Sequence, residues 1–192
     1  MKKMDATFWN NHYESNHTPW DLNEISTPLK EYIDQLTYKN SRILIPGAGN
    51  AYEAEYLHLQ GFNNVFVVDF AQKALDDFAL RNPSFPKEHL ICSDFFMLEN
   101  QFDLILEQTF FCAIDPSLRT SYAKKMKELL VDGGKLVGVL FNRNFEGGPP
   151  FGGNEKEYRA YFEPHFRMVN MAECYNSILP RNGAELFVQL KK

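Results

Sequence analysis

The stretch Ile43-Leu44-Ile45-Pro46-Gly47-Ala48-Gly49-Asn50-Ala51-Tyr52-Glu53 decides how the chain is read. An apolar run too short for a helix meets two glycines and then a helical pattern, which predicts strand, tight turn and helix. Glycine adopts the left-handed backbone that a sharp turn needs, and its lack of a side chain lets a ligand approach main-chain N–H groups. The helix N-terminus behind the turn adds partial positive charge. Asn50 and Glu53 are spaced as a capping box and Gly61 supplies a stop, so a helix is predicted over residues 51–60. Asp69 closes the next apolar run, about 20 residues beyond the turn, where an acid in this topology accepts the ribose hydroxyls of an adenosine-containing ligand. Together these features describe a nucleoside site.

Outward from that stretch, short apolar runs alternate with helical segments, the pattern of an α/β fold with a mostly parallel sheet. Strands are predicted at residues 42–45, 65–68, 90–92, 102–106 and 135–141, with a final antiparallel pair at 166–174 and 185–190 joined through Pro180-Arg181-Asn182-Gly183 as a tight connection. Asp115-Pro116 opens a helix whose apolar positions recur to Leu129 and Leu130 and end at Gly133-Gly134, and Asn154 with Glu157 repeats the capping-box spacing. Residues 1–40 carry Phe8, Trp9, Tyr13 and Trp20, too many aromatics for a disordered tail, and are expected to pack on the core formed by residues 41–192.

The 192 residues fit one domain, 1–192, and 44% hydrophobic with 23% charged residues argue against disorder. A net charge of -5 gives no general pull toward nucleic acid or anionic membrane. No apolar run marks a leader in residues 1–16 or a membrane span elsewhere, and the 3 cysteines, Cys92, Cys112 and Cys174, have no disulfide or zinc spacing. A cytoplasmic protein with no metal, no nucleic-acid or membrane partner and no obligate protein partner is expected. Cys112, between Phe111 and Ala113, reads as a small hydrophobe rather than a nucleophile, and the histidines show no ligand spacing.

The ligand is narrowed by what surrounds the turn. The third glycine of a dinucleotide fingerprint is replaced by Tyr52, and Phe70 follows Asp69, so no arginine awaits a 2′-phosphate. Glu53 near the turn would repel a pyrophosphate and tolerate an ammonium group. A phosphate-free adenosine such as S-adenosylmethionine is favoured. A nicotinamide-dependent oxidoreductase and a nucleoside-binding module without turnover remain as alternatives.

The ordered motifs Trp9-x3-Tyr13-x6-Trp20-Asp21, Pro46-Gly47-Ala48-Gly49, Asp69, Asp94-Phe95-Phe96, Phe102-Asp103-Leu104-Ile105, Phe111-Cys112-Ala113-Ile114-Asp115-Pro116 and Gly147-Gly148-Pro149-Pro150-Phe151 span nearly the whole chain. With them the chain resembles class I S-adenosylmethionine-dependent methyltransferases of the thiopurine methyltransferase superfamily, closest to the plant-type halide and thiol methyltransferase branch. The resemblance implies a Rossmann-like, mostly parallel seven-stranded sheet with helices on both faces and an antiparallel last strand. It further implies that residues 1–40 cover the cofactor, Trp9, Tyr13 and Trp20 walling it. Gly47 and Gly49 lie against it, Asp69 holds its ribose, Asp94 and Phe95 bracket its adenine, and Gln108 contacts its methionine part. Tyr13 stands where the plant branch has Trp, and Gln108 where relatives have Tyr or Arg.

Asp94 also reads as a loop cap with Phe95 and Phe96 as core, and Trp9 with Tyr13 as one helix face. An acceptor wall is expected from Phe111, Pro150 and Phe151. Family members that methylate amino groups of bases or glutamine carry an Asn or Asp-Pro-Pro-aromatic signature after the fourth strand, where this chain has Leu106-Glu107-Gln108-Thr109-Phe110. The reading is methyl transfer to a small soft nucleophile, a thiol, bisulfide, halide or thiopurine-like sulfur, with no catalytic residue assigned, since an anionic acceptor needs no base.

Overall fold

The computed structural model describes residues 4–192, so Met1, Lys2 and Lys3 of the opening segment lie outside the described residues. The strands are β1 (Ile43–Pro46), β2 (Val65–Asp69), β3 (Leu90–Cys92), β4 (Phe102–Gln108), β5 (Leu130–Phe141), β6 (Met168–Glu173) and β7 (Glu185–Lys191). They form one sheet in the order β3-β2-β1-β4-β5-β7-β6. Pairs from β3 to β5 are parallel, and β7 runs antiparallel between β5 and β6. The expected α/β architecture, mostly parallel with an antiparallel end, is the one found.

Alternation along each strand explains why both faces are covered. Ile43, Ile45, Val65, Val67, Leu104, Leu106, Val137 and Val139 point to one side. There they meet α2 (Thr27–Ile33), α3 (Tyr52–Leu59) and α4 (Gln72–Arg81) through Leu29, Ile33, Ala54, Leu57, Leu75 and Phe78. Leu44, Phe102, Ile105, Leu136 and Leu140 point to the other, against Tyr122 and Met126 of α5 (Arg119–Glu128) and Tyr158 and Phe162 of α6 (Glu155–Phe162). Burying one such Phe or Leu stabilises the fold by roughly 1.5–3 kcal/mol. The remaining helix, α1 (Ala6–Glu14), lies on α4: Tyr13 packs with Ala71 and Ala74, and the Lys73 N–H at the start of α4 donates to Asn10 Oδ1 at 3.0 Å.

Three local readings are corrected. The Asn50–Glu53 capping box does not form: α3 opens at Ala51, which has φ 55°, without a side-chain cap. Asn50 instead donates to Asp21 Oδ2, and Glu53 is buried and accepts from the Ser26 N–H at 3.3 Å, so both side chains serve the segment that crosses over α3. Gly133-Gly134 ends no helix. Asp115 caps a short 3₁₀ turn, Pro116–Leu118, before α5; α5 stops at Glu128 and β5 already begins at Leu130, taking Gly133 at φ 80° within an irregular pairing with β4. The link between β6 and β7 runs from residue 174 to 184 and holds a 3₁₀ turn, Leu179–Arg181, so it is longer than a tight hairpin connection. The Asn154 cap does form, its Oδ1 accepting from Glu157 N–H at 3.1 Å. Among the described residues no helix is long and apolar enough to cross a membrane.

Candidate active site

A cavity of about 1270 Å³ opens where β1, β2 and β4 end, the place where open parallel sheets hold ligands. Its floor starts at the glycine turn. Gly47 (φ 57°) donates its N–H to Val68 O at 2.8 Å, and a Cβ there would stand 2.1 Å from the Phe110 ring. Gly49 (φ 52°) donates to Asp69 Oδ2 at 2.9 Å, and a Cβ there would stand 2.6 Å from the Tyr13 hydroxyl. Both glycines are therefore required twice, by backbone conformation and by space.

Asp69 ends β2 with Oδ1 accepting from Ala71 N–H at 2.8 Å and Oδ2 from Gly49 N–H. A carboxylate offers about four lone-pair sites, so about two remain, the number a ribose diol needs. Burial raises the Asp69 carboxyl above its ordinary range, opposed by those N–H donors. After β3, Asp94 Oδ1 accepts from Phe96 N–H at 2.9 Å, capping a 3₁₀ turn that holds Phe95 in the core; Asp94 and Phe95 nevertheless line the cavity, so the cap and the wall are the same residues.

Past β4 the chain turns through Thr109 at φ 58°, a strained conformation for a β-branched residue. Glu107, fully buried, holds this turn by accepting the N–H groups of Phe110 and Phe111, both at 2.9 Å, and the Tyr122 hydroxyl. Burial pushes the Glu107 carboxyl up to about 7. Because successive residues of the turn face opposite ways, Phe110 covers Gly47 on the cavity while Phe111 enters the core against Tyr122 and Tyr158. Gln108 lines the cavity, and its Oε1 is buried with no hydrogen-bond partner among the described residues.

The roof comes from the N-terminal segment. Trp9, His12 and Tyr13 of α1 line the cavity with Trp20, whose ring meets Trp9 at 5.6 Å and Tyr13 at 6.1 Å, both edge-on. Tyr52 faces this segment rather than the sheet: its hydroxyl reaches Asp21 Oδ2 at 3.4 Å, and its ring lies 5.5 Å from the Arg81 guanidinium. Burial, and next the Asp69 charge, raises the Tyr13 hydroxyl. Phe141, Arg143, Phe145, Pro149, Pro150 and Arg181 also line the cavity. Arg181 donates to Trp20 O at 3.0 Å and to Glu185 at 3.4 Å, and stands 5.3 Å from the Phe141 ring.

Trp9, Tyr13, Trp20, Gly47, Gly49, Asp69, Asp94, Phe95, Gln108 and Pro150 are thus brought to one cavity. Phe111 and Phe151 are not on its wall. Phe151 is held from behind, its N–H donating to Cys112 O at 2.6 Å and its carbonyl accepting from Arg119 at 3.2 Å. Cys112 is buried, its Sγ donating to Thr109 O at 3.2 Å, and burial pushes its thiol up to about 12, so at neutral pH it is no nucleophile. Glu53 lies off the cavity wall, and its proposed repulsion of pyrophosphate loses its basis. The sequence does not mark Glu107, Phe110, Arg143 or Arg181 as site residues: Glu107 and Phe110 act through a local turn that no hydrophobic pattern encodes, and Arg143 and Arg181 reach the cavity from distant segments.

A mostly parallel seven-stranded sheet ending in an antiparallel strand, with a glycine turn and an acid at its carboxyl edge, is the arrangement of class I S-adenosylmethionine-dependent methyltransferases. The chain belongs to the thiopurine S-methyltransferase family, whose model matches residues 4–189. It is similar to the probable thiol methyltransferase 2 of Arabidopsis thaliana, 29% identical over all of this chain and 88% of that protein. It is also similar to thiocyanate methyltransferase 1 of Brassica oleracea, 31% identical over 96% of this chain and 84% of that protein. Among solved structures, the fold matches the 1,6-didemethyltoxoflavin-N1-methyltransferase of Burkholderia thailandensis with bound S-adenosylhomocysteine, at a TM-score of 0.74 and 16% identity over 97% of this chain and 86% of the other. The protein is an S-adenosylmethionine-dependent methyltransferase. The buried, unpartnered Gln108 Oε1 and the acids along the wall fit a ligand that carries an ammonium group and a sulfonium.

Proposed function

We propose that the protein methylates a small soft nucleophile, a thiol, bisulfide, halide or thiopurine-like sulfur, by in-line displacement, as one catalytic unit in which residues 1–40 cover residues 41–192. The observation that carries this is one cavity whose wall holds acids together with cations and aromatic rings. Asp21, Asp69 and Asp94 on it suit a cationic cofactor, and Arg143 and Arg181 with Phe141 and Phe145 on it suit an anionic, polarisable acceptor. The names of the thiol and thiocyanate methyltransferase relatives support the same acceptor class.

When bound, S-adenosylmethionine supplies a methyl group activated on a sulfonium. Asp69 holds the ribose with its two spare lone-pair sites, Asp94 and Phe95 take the adenine, Gly47 and Gly49 give it room, and Gln108 Oε1 accepts from the ammonium. Trp9, Tyr13 and Trp20 face the sulfonium with aromatic rings and exclude water, which strengthens cation–π attraction and strips the acceptor of hydration. Arg143 and Arg181 orient the acceptor, and Pro150 narrows the mouth; Phe111 and Phe151 support this wall from behind. Orientation of this kind is worth about 7–11 kcal/mol at best. The small-molecule acceptor is the partner this reading requires, and three free cysteines suit a reducing cytoplasm.

The test is methyl transfer from labelled S-adenosylmethionine to a panel of thiocyanate, iodide, bisulfide, aryl thiols and thiopurines. Labelled volatile or thioether product is expected. Binding of S-adenosylhomocysteine with transfer to none of them overturns the acceptor assignment.

A further inference from the structure

Thiocyanate and iodide enter the cavity already anionic, but an alkyl thiol with a pKa of about 8.5 is mostly protonated at neutral pH. A thiol acceptor therefore gains from a base within hydrogen-bond reach, directly or through one water. The wall carboxylates are largely committed elsewhere: Asp5 to Phe8, Asp21 to Asn50 and Tyr52, Asp69 to Gly49 and Ala71, Asp94 to Phe96, Asp115 to Ser117. Glu24 and His17 are exposed to solvent, and burial holds the Cys112 thiol and the Tyr13 hydroxyl protonated.

His12 differs. It lies in the last turn of α1 and lines the same cavity, half-buried, with its ring edge-on to Trp20 at 5.4 Å and tilted against Trp9 at 6.1 Å. Its Nδ1 stands 2.9 Å from the His17 carbonyl oxygen. A carbonyl only accepts, so in the neutral imidazole the proton sits on Nδ1 and the lone pair on Nε2. Nε2 makes no hydrogen bond to a described residue, and the His17 ring, stacked at 5.5 Å, braces the imidazole. The other titratable or charged groups around it are Asp5 and Tyr13 on α1, Asp21 and Glu24 on the following segment, and Arg143 and Arg181 elsewhere on the wall.

We propose that His12 is the general base for thiol acceptors, extending the protein's acceptors from pre-formed anions to protonated thiols. The inference rests on the methyl-transfer reading above. The S–H proton passes to Nε2, and the freed sulfur electron pair forms the new bond to the methyl carbon. The methyl–sulfonium bond breaks with its pair returning to the sulfonium sulfur, and the imidazolium then releases its proton to water.

Two measurements test this. In the full-length protein bound to S-adenosylhomocysteine, ring-nitrogen NMR shifts should show His12 at alkaline pH protonated on Nδ1 and bare on Nε2; the opposite tautomer overturns the proposal. In His12→Gln, the ratio of kcat/KM for 2-mercaptoethanol to that for thiocyanate should fall about 100-fold, within the usual range for losing a general base. An equal fall on both acceptors, or none, makes His12 a brace for Trp20 and overturns it. Wild-type turnover of thiocyanate without turnover of thiols overturns this inference and leaves the wider reading standing, whereas turnover of neither ends both.

Discussion

The Glu107 carboxylate accepts the Tyr122 hydroxyl at 2.5 Å on one oxygen and two consecutive main-chain N–H groups on the other, and it does so one residue before Gln108. Its folded-state pKa of about 7 lies above its ordinary 4.5, so between these values the folded protein holds a proton that the unfolded chain has released. This contribution to stability is full below pH 4.5 and declines as pH rises through about 7, by about 3 kcal/mol. Glu107→Gln removes the titration. Urea unfolding of wild type and variant across this window should give a difference that shifts by about that amount, and parallel curves would place the carboxyl elsewhere on the pH scale.

Gly49 and Tyr13 should show coupling. Gly49→Ala forces a side chain into a left-handed backbone, costing roughly 1–2 kcal/mol, and sets a Cβ 2.6 Å from the Tyr13 hydroxyl. Tyr13→Phe removes that oxygen, and the next Tyr13 atom would be 3.7 Å away, an ordinary contact. The double variant should therefore recover part of the loss in S-adenosylhomocysteine affinity, measured by calorimetry in a double-mutant cycle. Additive losses would mean that the two residues do not meet in solution.

Asp69→Ala should weaken S-adenosylhomocysteine binding by about 1–3 kcal/mol, the cost of losing hydrogen bonds to a charged group. Thermal unfolding without ligand should also drop, because Gly49 and Ala71 lose their acceptor. Undiminished affinity in a folded variant would remove Asp69 from the ribose site.

Arg119 is almost fully buried, yet its bonds go to the carbonyls of Phe151 and Gly152 and to Glu157 at 2.8 Å, with its face 4.7 Å from the Phe111 ring. Arg119→Met keeps much of the bulk and strands two carbonyls, each worth about 1–3 kcal/mol when unpaired and buried. Limited proteolysis should then cut within residues 142–153, with turnover falling in parallel. Glu157→Gln, on a half-exposed partner, should do much less.

Much of the fold can be read in the linear chain because the inner strands β1 and β2 are short apolar runs, as in Val65-Phe66-Val67-Val68, followed by turn residues. The cofactor half of the site is equally readable, since Gly47, Gly49 and Asp69 sit within one strand–turn–helix–strand unit. Reading fails where a side chain answers to something far away. Asn50 and Glu53 have the right spacing for a cap, but Asp21 and Ser26 claim them. Arg181 looks like a turn residue until it meets a carbonyl 161 positions earlier in the chain. The choice between Phe110 and Phe111 depends on Glu107 clamping the turn, and no pattern of hydrophobicity encodes that.

The position of β7 between β5 and β6 dictates an order of assembly. During synthesis β6 emerges first but has no neighbour to join until β7 follows it from the ribosome and zips against β5. The same hairpin brings Arg181 to Trp20, so the glycine turn forms within a unit of near neighbours while the chamber above it is finished only once β7 has joined β5.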